Sequence, residues 1–297
     1  MRNAAKHLIG VLVLLLTTFI SVYASAQVGT GLLWRIHKPQ QPPSFLFGTI
    51  HIDDKRVKDL DNEVIRRFNE SKTLCLEILP NRETQVSIGR AMLLPKDQYL
   101  DEILGDPLFN RLSLILHKKG MTPLESVHLK PWAAMVVVSR PESQGGYALD
   151  EQLYHWGVHQ YKQLCALETL QEQLSVFDEL SEKDQITLLK DSLDFLPQVQ
   201  ELNEKLVLAY LKGDLDEIYR RSMEMQSQDD ELAKRLMHSL IDERNQRMLE
   251  RMLPELKKGR TFIAVGALHL PGEFGLLNLL RKAGFAVTPP SLNVSPW

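Results

Sequence analysis

The sequence predicts an α/β fold: a central, mostly parallel sheet with an antiparallel hairpin at its N-terminal end and a large helical insertion. Three observations carry this reading. Short apolar runs with the length and composition of buried strands recur at 32–37, 45–51, 73–79 and 261–269, with a weaker one at 163–167. Helical patterns lie between them, and strands alternating with helices favour a parallel sheet. The stretch from about 170 to 256 is instead charged and helical throughout. Taken in order, the first two runs are too close for a crossover helix, and Pro39, Pro42 and Pro43 separate them, so they form a hairpin. Helices are expected at 58–70, 108–119, 123–139 and 149–160. Within the insertion, Leu232, Leu236 and Leu240 repeat at helical spacing, as in a segment that covers the sheet or closes over a cleft. The C-terminal part reads as a strand over 261–268, a helix from near Gly272 and a strand over 285–288. Gly284 suits the residue just past the helix, where a positive φ costs glycine nothing. Nothing resembles a linker, so residues 27–297 are expected to form one domain.

Residues 1–26 have the pattern of a cleaved secretory leader. Arg2 and Lys6 precede an apolar run over 8–20, and Ala24-Ser25-Ala26 supplies small residues for cleavage before Gln27. The run is shorter than the roughly 20 residues a spanning helix needs, so an exported protein, periplasmic or secreted, without a membrane span after cleavage is expected. Across 297 residues, 35 Lys+Arg face 38 Asp+Glu, and a net charge of −3 gives no electrostatic case for nucleic acid. With 44% hydrophobic residues, 16 Gly and 15 Pro, collagen-like, coiled-coil and disordered chains are excluded. Export would put Cys75 and Cys165 where disulfides form. Each lies inside an apolar run, however, and the expectation is two buried small hydrophobes rather than a bridge.

One short pattern occurs twice. Phe45-Leu-Phe-Gly48-Thr-Ile-His51 and Phe262-Ile-Ala-Val-Gly266-Ala-Leu-His269 each run a strand into Gly-x-x-His. In an open α/β sheet, groups at the carboxyl ends of strands face the ligand crevice. The plainer alternative is that each imidazole bonds a nearby carbonyl. Glu77 and Glu168 follow two other strands, where a carboxylate is costly unless paired or bound to a cation. Two His with one or two carboxylates match a catalytic divalent site that leaves positions open for water and substrate. Glu168 has a second reading as an acid at a helix N-terminus. His155 and His159 are spaced i, i+4, but Gly157 weakens their helix and the Glu that follows the first His in metalloprotease helices is missing; solvated histidines are expected. There is no phosphate-binding loop and no Gly-x-Ser-x-Gly elbow.

These motifs, with Gly145-Gly-Tyr-Ala-Leu-Asp150, Glu243-Arg244-Asn245 and the terminal Gly-Ala-Leu-His-Leu segment, resemble the TraB/GumN family, whose relatives include the Tiki proteases. The resemblance covers most of the chain, from about 32 to 288. It implies a fold related to the erythromycin-esterase and haem-binding ChaN groups, and for the Tiki branch a metal-dependent peptidase. It places His51, Glu77 and His269 as metal ligands and matches Arg244 and Asn245 to the family's Arg-Asn pair, in contact with substrate. Glu168 is expected as a general base or further ligand, and Asp150 as a supporting acid or helix cap. The expected cofactor is a divalent ion (manganese, cobalt or zinc), and the expected partner a peptide or small-molecule substrate. The alternative is a non-catalytic protein that binds haem or another metal-containing ligand. A Glu77 left uncompensated without metal would be strained, so Glu77→Gln is expected to leave folding intact or to stabilise it.

Overall fold

A computed structural model describes residues 31–140, 146–223 and 230–290; the leader-like segment and its cleavage site lie outside the described residues. All six expected strands are present: β1 (Leu33–His37), β2 (Ser44–Thr49), β3 (Thr73–Leu76), β4 (Gln163–Ala166), β5 (Thr261–Gly266) and β6 (Ala286–Thr288). They form one sheet in the order β4-β3-β5-β2-β1-β6. β4, β3, β5 and β2 run parallel, while β1 is antiparallel to both β2 and β6. Every residue of β2 and β5 is buried, as parallel strands covered on both faces require. Strands β2, β3 and β5 are shorter than expected, and each stops before its His or Glu. At the end of β5 the Gly266 amide donates to the Glu77 side chain at 2.6 Å, and the chain then turns through Ala267–His269.

Two expected helices divide for local reasons. In place of 58–70 the chain forms Lys55–Lys58 and Asn62–Glu70, capped by Asp54 and Asp61. In place of 123–139 it forms Pro123–Val127 and Pro131–Ser139. Proline suits the first turn of a helix but pushes the residue before it out of helical geometry, and Lys130 is extended (ψ 152°). The last helix, Leu276–Lys282, begins later than expected, and Gly284 follows it at φ +82°. Helices Arg82–Ala91 and Leu100–Leu104 were not anticipated. The first of these buries no residue, so it offers no apolar stripe to read.

Two hydrophobic cores result. One surrounds the sheet and includes Phe47, Phe68, Leu74, Met248, Met252 and Phe262. The other is wholly helical, built on Leu112, Leu116, Trp132, Val138, Leu189 and Leu193. The 30-residue helix Glu182–Leu211 joins them, giving Leu189 and Leu193 to the helical core and Val207 and Tyr210 to the sheet core, with Pro197 between. Gly157 lets the helix Leu149–His159 lie close on β3, since a Cβ there would stand 2.7 Å from Leu74 Cδ2. Among the described residues no helix is long and apolar enough to cross a membrane.

The cysteines overturn their expectation. Cys75 of β3 and Cys165 of β4 are register partners, with Cα atoms 4.5 Å apart, and are joined in a disulfide. Both runs are apolar, but β3 is buried while β4 is the edge strand, and only the adjacency of the two puts the thiols side by side. The bridge spans a sequence separation of 90 residues, and closing so long a loop restricts the unfolded chain by about 4 kcal/mol. Replacing both cysteines with alanine is expected to lower unfolding free energy in urea by about that much. A loss smaller than about 1 kcal/mol would show that the unfolded chain gains little freedom there.

Candidate functional site

Because β2, β3, β4 and β5 are parallel, their carboxyl ends share one edge of the sheet. His51 stands two residues past β2, Glu77 directly past β3, Glu168 two past β4, and His269 three past β5. The glycines of the two motifs create the room. A Cβ on Gly48 would fall 3.1 Å from both Cα and Cβ of Ala267, so Gly48 lets the second motif pack onto the first. A Cβ on Gly266 would fall 3.3 Å from Glu77 Oε1 and 3.4 Å from His51 Nε2, inside the cluster itself.

Glu77 Oε1 lies 3.9 Å from His51 Nε2 and 3.8 Å from His269 Nε2. Each imidazole is held by its other nitrogen. His51 Nδ1 bonds Asp150 Oδ2 at 2.7 Å, and the Thr49 hydroxyl donates to the second Asp150 oxygen at 2.5 Å. His269 Nδ1 bonds Asn245 Oδ1 at 2.8 Å, while the Asn245 amide donates to the carbonyls of Phe274 and His269. An acceptor at Nδ1 fixes the proton there and leaves Nε2 to face the centre.

Behind the centre lies a buried ionic cluster. Arg244 Nη2 donates to Glu77 Oε2 at 2.6 Å and to Glu168 Oε2 at 2.7 Å, and Arg244 Nε donates to both Glu168 oxygens. Gln173 adds a bond to Glu77 Oε2 at 3.1 Å. A π-helical turn, His238–Asp242, leads into the helix Glu243–Lys258 that carries Arg244, and Arg244 Nη1 reaches back to the Leu240 carbonyl. Such turns often sit where a helix must aim a functional side chain.

These contacts bear on three expectations. Arg244 is buried and committed to two carboxylates rather than presented to substrate, and the Glu168 side chain is fully buried with both oxygens on Arg244. Glu77 is compensated rather than strained. Burial pushes its carboxyl up, but the surrounding positive groups and the Gly266 amide outweigh that and hold it well below the usual carboxylate range. Burial lowers His269 to about 4, so it is neutral at pH 7 and the cations facing Glu77 are then Arg244 and His51. Asp150 raises His51 to about 9. The His51 ring is 62% exposed, so solvent screens part of that attraction.

Residues 32–289 match the family model described as TraB/PrgY/gumN. The chain belongs to that family. Its similar relatives include Metalloprotease TIKI1 of Danio rerio, 28% identical over 86% of this chain and 62% of the relative. Another is Metalloprotease TIKI2 of the same organism, 29% identical over 87% of this chain and 61% of the relative. The chain thus spans about three fifths of the length of these Tiki proteins. The Uncharacterized protein YbaP of Escherichia coli is 24% identical over 80% of this chain and 87% of its own length. No solved structure matches.

Within this family member, the structure brings His51, Glu77 and His269 to one point and sets Glu168, Arg244 and Asn245 around them. It is not a ready-made coordination sphere: among the described residues no three His, Cys, Asp or Glu side chains are grouped closely enough to hold an ion as they stand. His155 packs on the rings of Tyr147 and Tyr154 instead of joining the cluster. Sequence reasoning missed Thr49 and Gln173. Thr49 is the first x of the first Gly-x-x-His, and its position there was the available signal. Gln173 lies one turn into a helix opened by the Thr169–Glu172 capping box, and nothing local marks it as a Glu77 partner.

Proposed function

We propose that the protein is a divalent-metal-dependent hydrolase that cleaves peptide bonds, with His51, Glu77 and His269 as ligands. One observation carries the reading. With both Nδ1 atoms taken, the His269 Nε2 lone pair, the His51 Nε2 and the Glu77 Oε1 oxygen converge on a space that Gly266 leaves open. Acceptors aimed at one another repel unless a proton or cation lies between them, and two imidazoles with one carboxylate suit manganese, cobalt or zinc. The relatives named as metalloproteases support the same class. Their separations of 3.8 and 3.9 Å require only a small inward movement to share an ion.

When bound, such an ion polarises a carbonyl and lowers the pKa of water. The chain's own residues set the geometry. Asp150 and Asn245 fix the two rings, and Glu168 anchors Arg244, which in turn holds Glu77 ionised. Glu77 is too acidic to carry a proton at neutral pH and acts as a ligand. His51 has to give up its proton to present a lone pair. Residues 1–26 act as an export leader, and the Cys75–Cys165 bridge supports an oxidising compartment.

The test is a peptide library incubated with chelator-stripped protein, with manganese, cobalt or zinc restored in turn and cleavage read by mass spectrometry. Cleavage that returns with one of these ions and disappears with chelator is the expected result. Cleavage indifferent to chelator would remove the metal, and saturable haem uptake with no cleavage under any ion would favour the binding protein instead.

A further inference from the structure

At the opposite end of the sheet, beside the amino ends of β2 and β5, lies a hollow of about 720 Å³ with no part in the centre described above. Its walls carry Arg35, Arg67 and Arg260 against a single acid, Glu70, although the chain as a whole is negative. The sheet register explains how they meet. Arg35 of β1 pairs directly with Phe45 of β2, so the two side chains share a face. The Arg67 guanidinium lies over that same Phe45 ring, 4.8 Å from its centroid. Arg67 is already balanced by Glu63 and Glu70. Among the described residues, Arg35 and Arg260 have no ion-pair or hydrogen-bond partner for their guanidinium groups.

The backbone fixes this arrangement. Arg260 is held at φ +52°, with its amide on the Pro43 carbonyl at 3.1 Å and its carbonyl accepting from Lys72 at 2.8 Å. A non-glycine residue in the left-handed region is disfavoured and persists only where its surroundings impose it. Gln40, across the hollow, is also left-handed at φ +64°. Beside it the Gln41 Oε1 atom is buried with no partner, a state that costs free energy unless a donor reaches it. Two uncommitted guanidinium forks over a partly apolar floor of Phe45 and prolines describe one kind of ligand.

We propose that this hollow binds a small organic anion, a phosphate monoester or carboxylate on a flat apolar body. Arg35 and Arg260 grip its oxygens, and the body lies toward Phe45. Guanidinium forks match the oxygen spacing of both anions. The site is independent of the strand-end cluster, and neither proposal stands or falls with the other.

Calorimetric titration of the whole protein in the presence of chelator tests it, since chelation keeps any cation-bound anion from counting. The probes are phenyl phosphate, benzoate and inorganic phosphate. Saturable one-to-one binding of phenyl phosphate or benzoate, tighter than inorganic phosphate, is expected, and whichever binds more tightly names the anion. Arg35→Gln and Arg260→Gln should each weaken it by about tenfold or more, as loss of a charge-assisted bond does. Arg260 is exposed, so Arg260→Gln carries the test even if Arg35→Gln perturbs folding; its melting curve should match wild type. No saturation by any probe at millimolar concentration, or undiminished binding to a folded Arg260→Gln variant, would overturn the proposal.

Discussion

Arg244→Leu is expected to lower the unfolding free energy by about 3–5 kcal/mol, because it leaves buried carboxylates without their cation. Arg244 donates to both Glu77 and Glu168, whose side chains are 8% and 0% exposed. The nearest remaining cation to Glu168 is Arg247, whose Nη2 is 3.9 Å from Oε1 and too far for a hydrogen bond. The stranded carboxyls should respond by taking up protons, so the variant should lose less of its remaining stability as pH falls than wild type does. Urea unfolding across the acid range measures both effects. A companion variant with Arg244→Leu, Glu77→Gln and Glu168→Gln should recover part of the loss, since the charges leave together. A loss below about 1 kcal/mol for Arg244→Leu alone, the range of exposed pairs, would mean that water reaches the cluster and that Arg244 does not support Glu77.

The second large effect is on the response to metal. If Glu77 is a ligand, manganese should raise the melting temperature of wild type by linkage and leave Glu77→Gln unmoved. An equal rise in both would end that assignment. Without metal, the variant is expected to be less stable than wild type by about 1–3 kcal/mol, since Arg244 loses a charged partner. That reverses the expectation drawn from sequence, and the sign follows from the shift. The folded Glu77 carboxyl is held below its ordinary value, so its contribution is present above pH 4.5 and fades as pH falls through the folded value. The pH dependence of metal affinity has the opposite origin. His51 holds a proton up to about pH 9, and that proton competes with a cation at Nε2. Manganese affinity should therefore rise with pH by at most about tenfold per unit below that value. Affinity flat from pH 6 to 8 would exclude His51 as a ligand.

How far the site could be read depends on the range of each interaction. The two Gly-x-x-His segments were legible because each is a local run of strand, glycine and histidine, and parallel strands bring their carboxyl ends to one edge wherever they fall in the sheet. Asp150 is expected as a supporting acid or a helix cap, and nothing local names the residue it supports. Its bond to His51 Nδ1 crosses 99 residues. Arg244 is expected from the resemblance to contact substrate, and nothing local in Asp242-Glu-Arg-Asn-Gln-Arg marks it as buried. It is buried because helix Glu243–Lys258 is rotated so that Arg244, Asn245, Met248 and Met252 face inward, and the rotation is set by packing.

The sequence by itself determined the six strands, because a short apolar run punctuated by glycine and proline is too brief for a helix and favours an extended conformation. It also marked the histidines and carboxylates near the ends of those runs, and so the side chains the centre would draw on, although β2, β3 and β5 stop before them. The order of the strands was decided only by the tertiary structure. Placing β3 between β4 and β5 joins Cys75 to Cys165 and points Glu77 at His269. The ionisation of the centre was decided there too. Whether Glu77 is strained or satisfied depends on an arginine 167 residues away, and no local pattern records a partner at that distance. Local propensity sets what each segment becomes, while charge compensation inside a core is settled only when distant segments exclude water together.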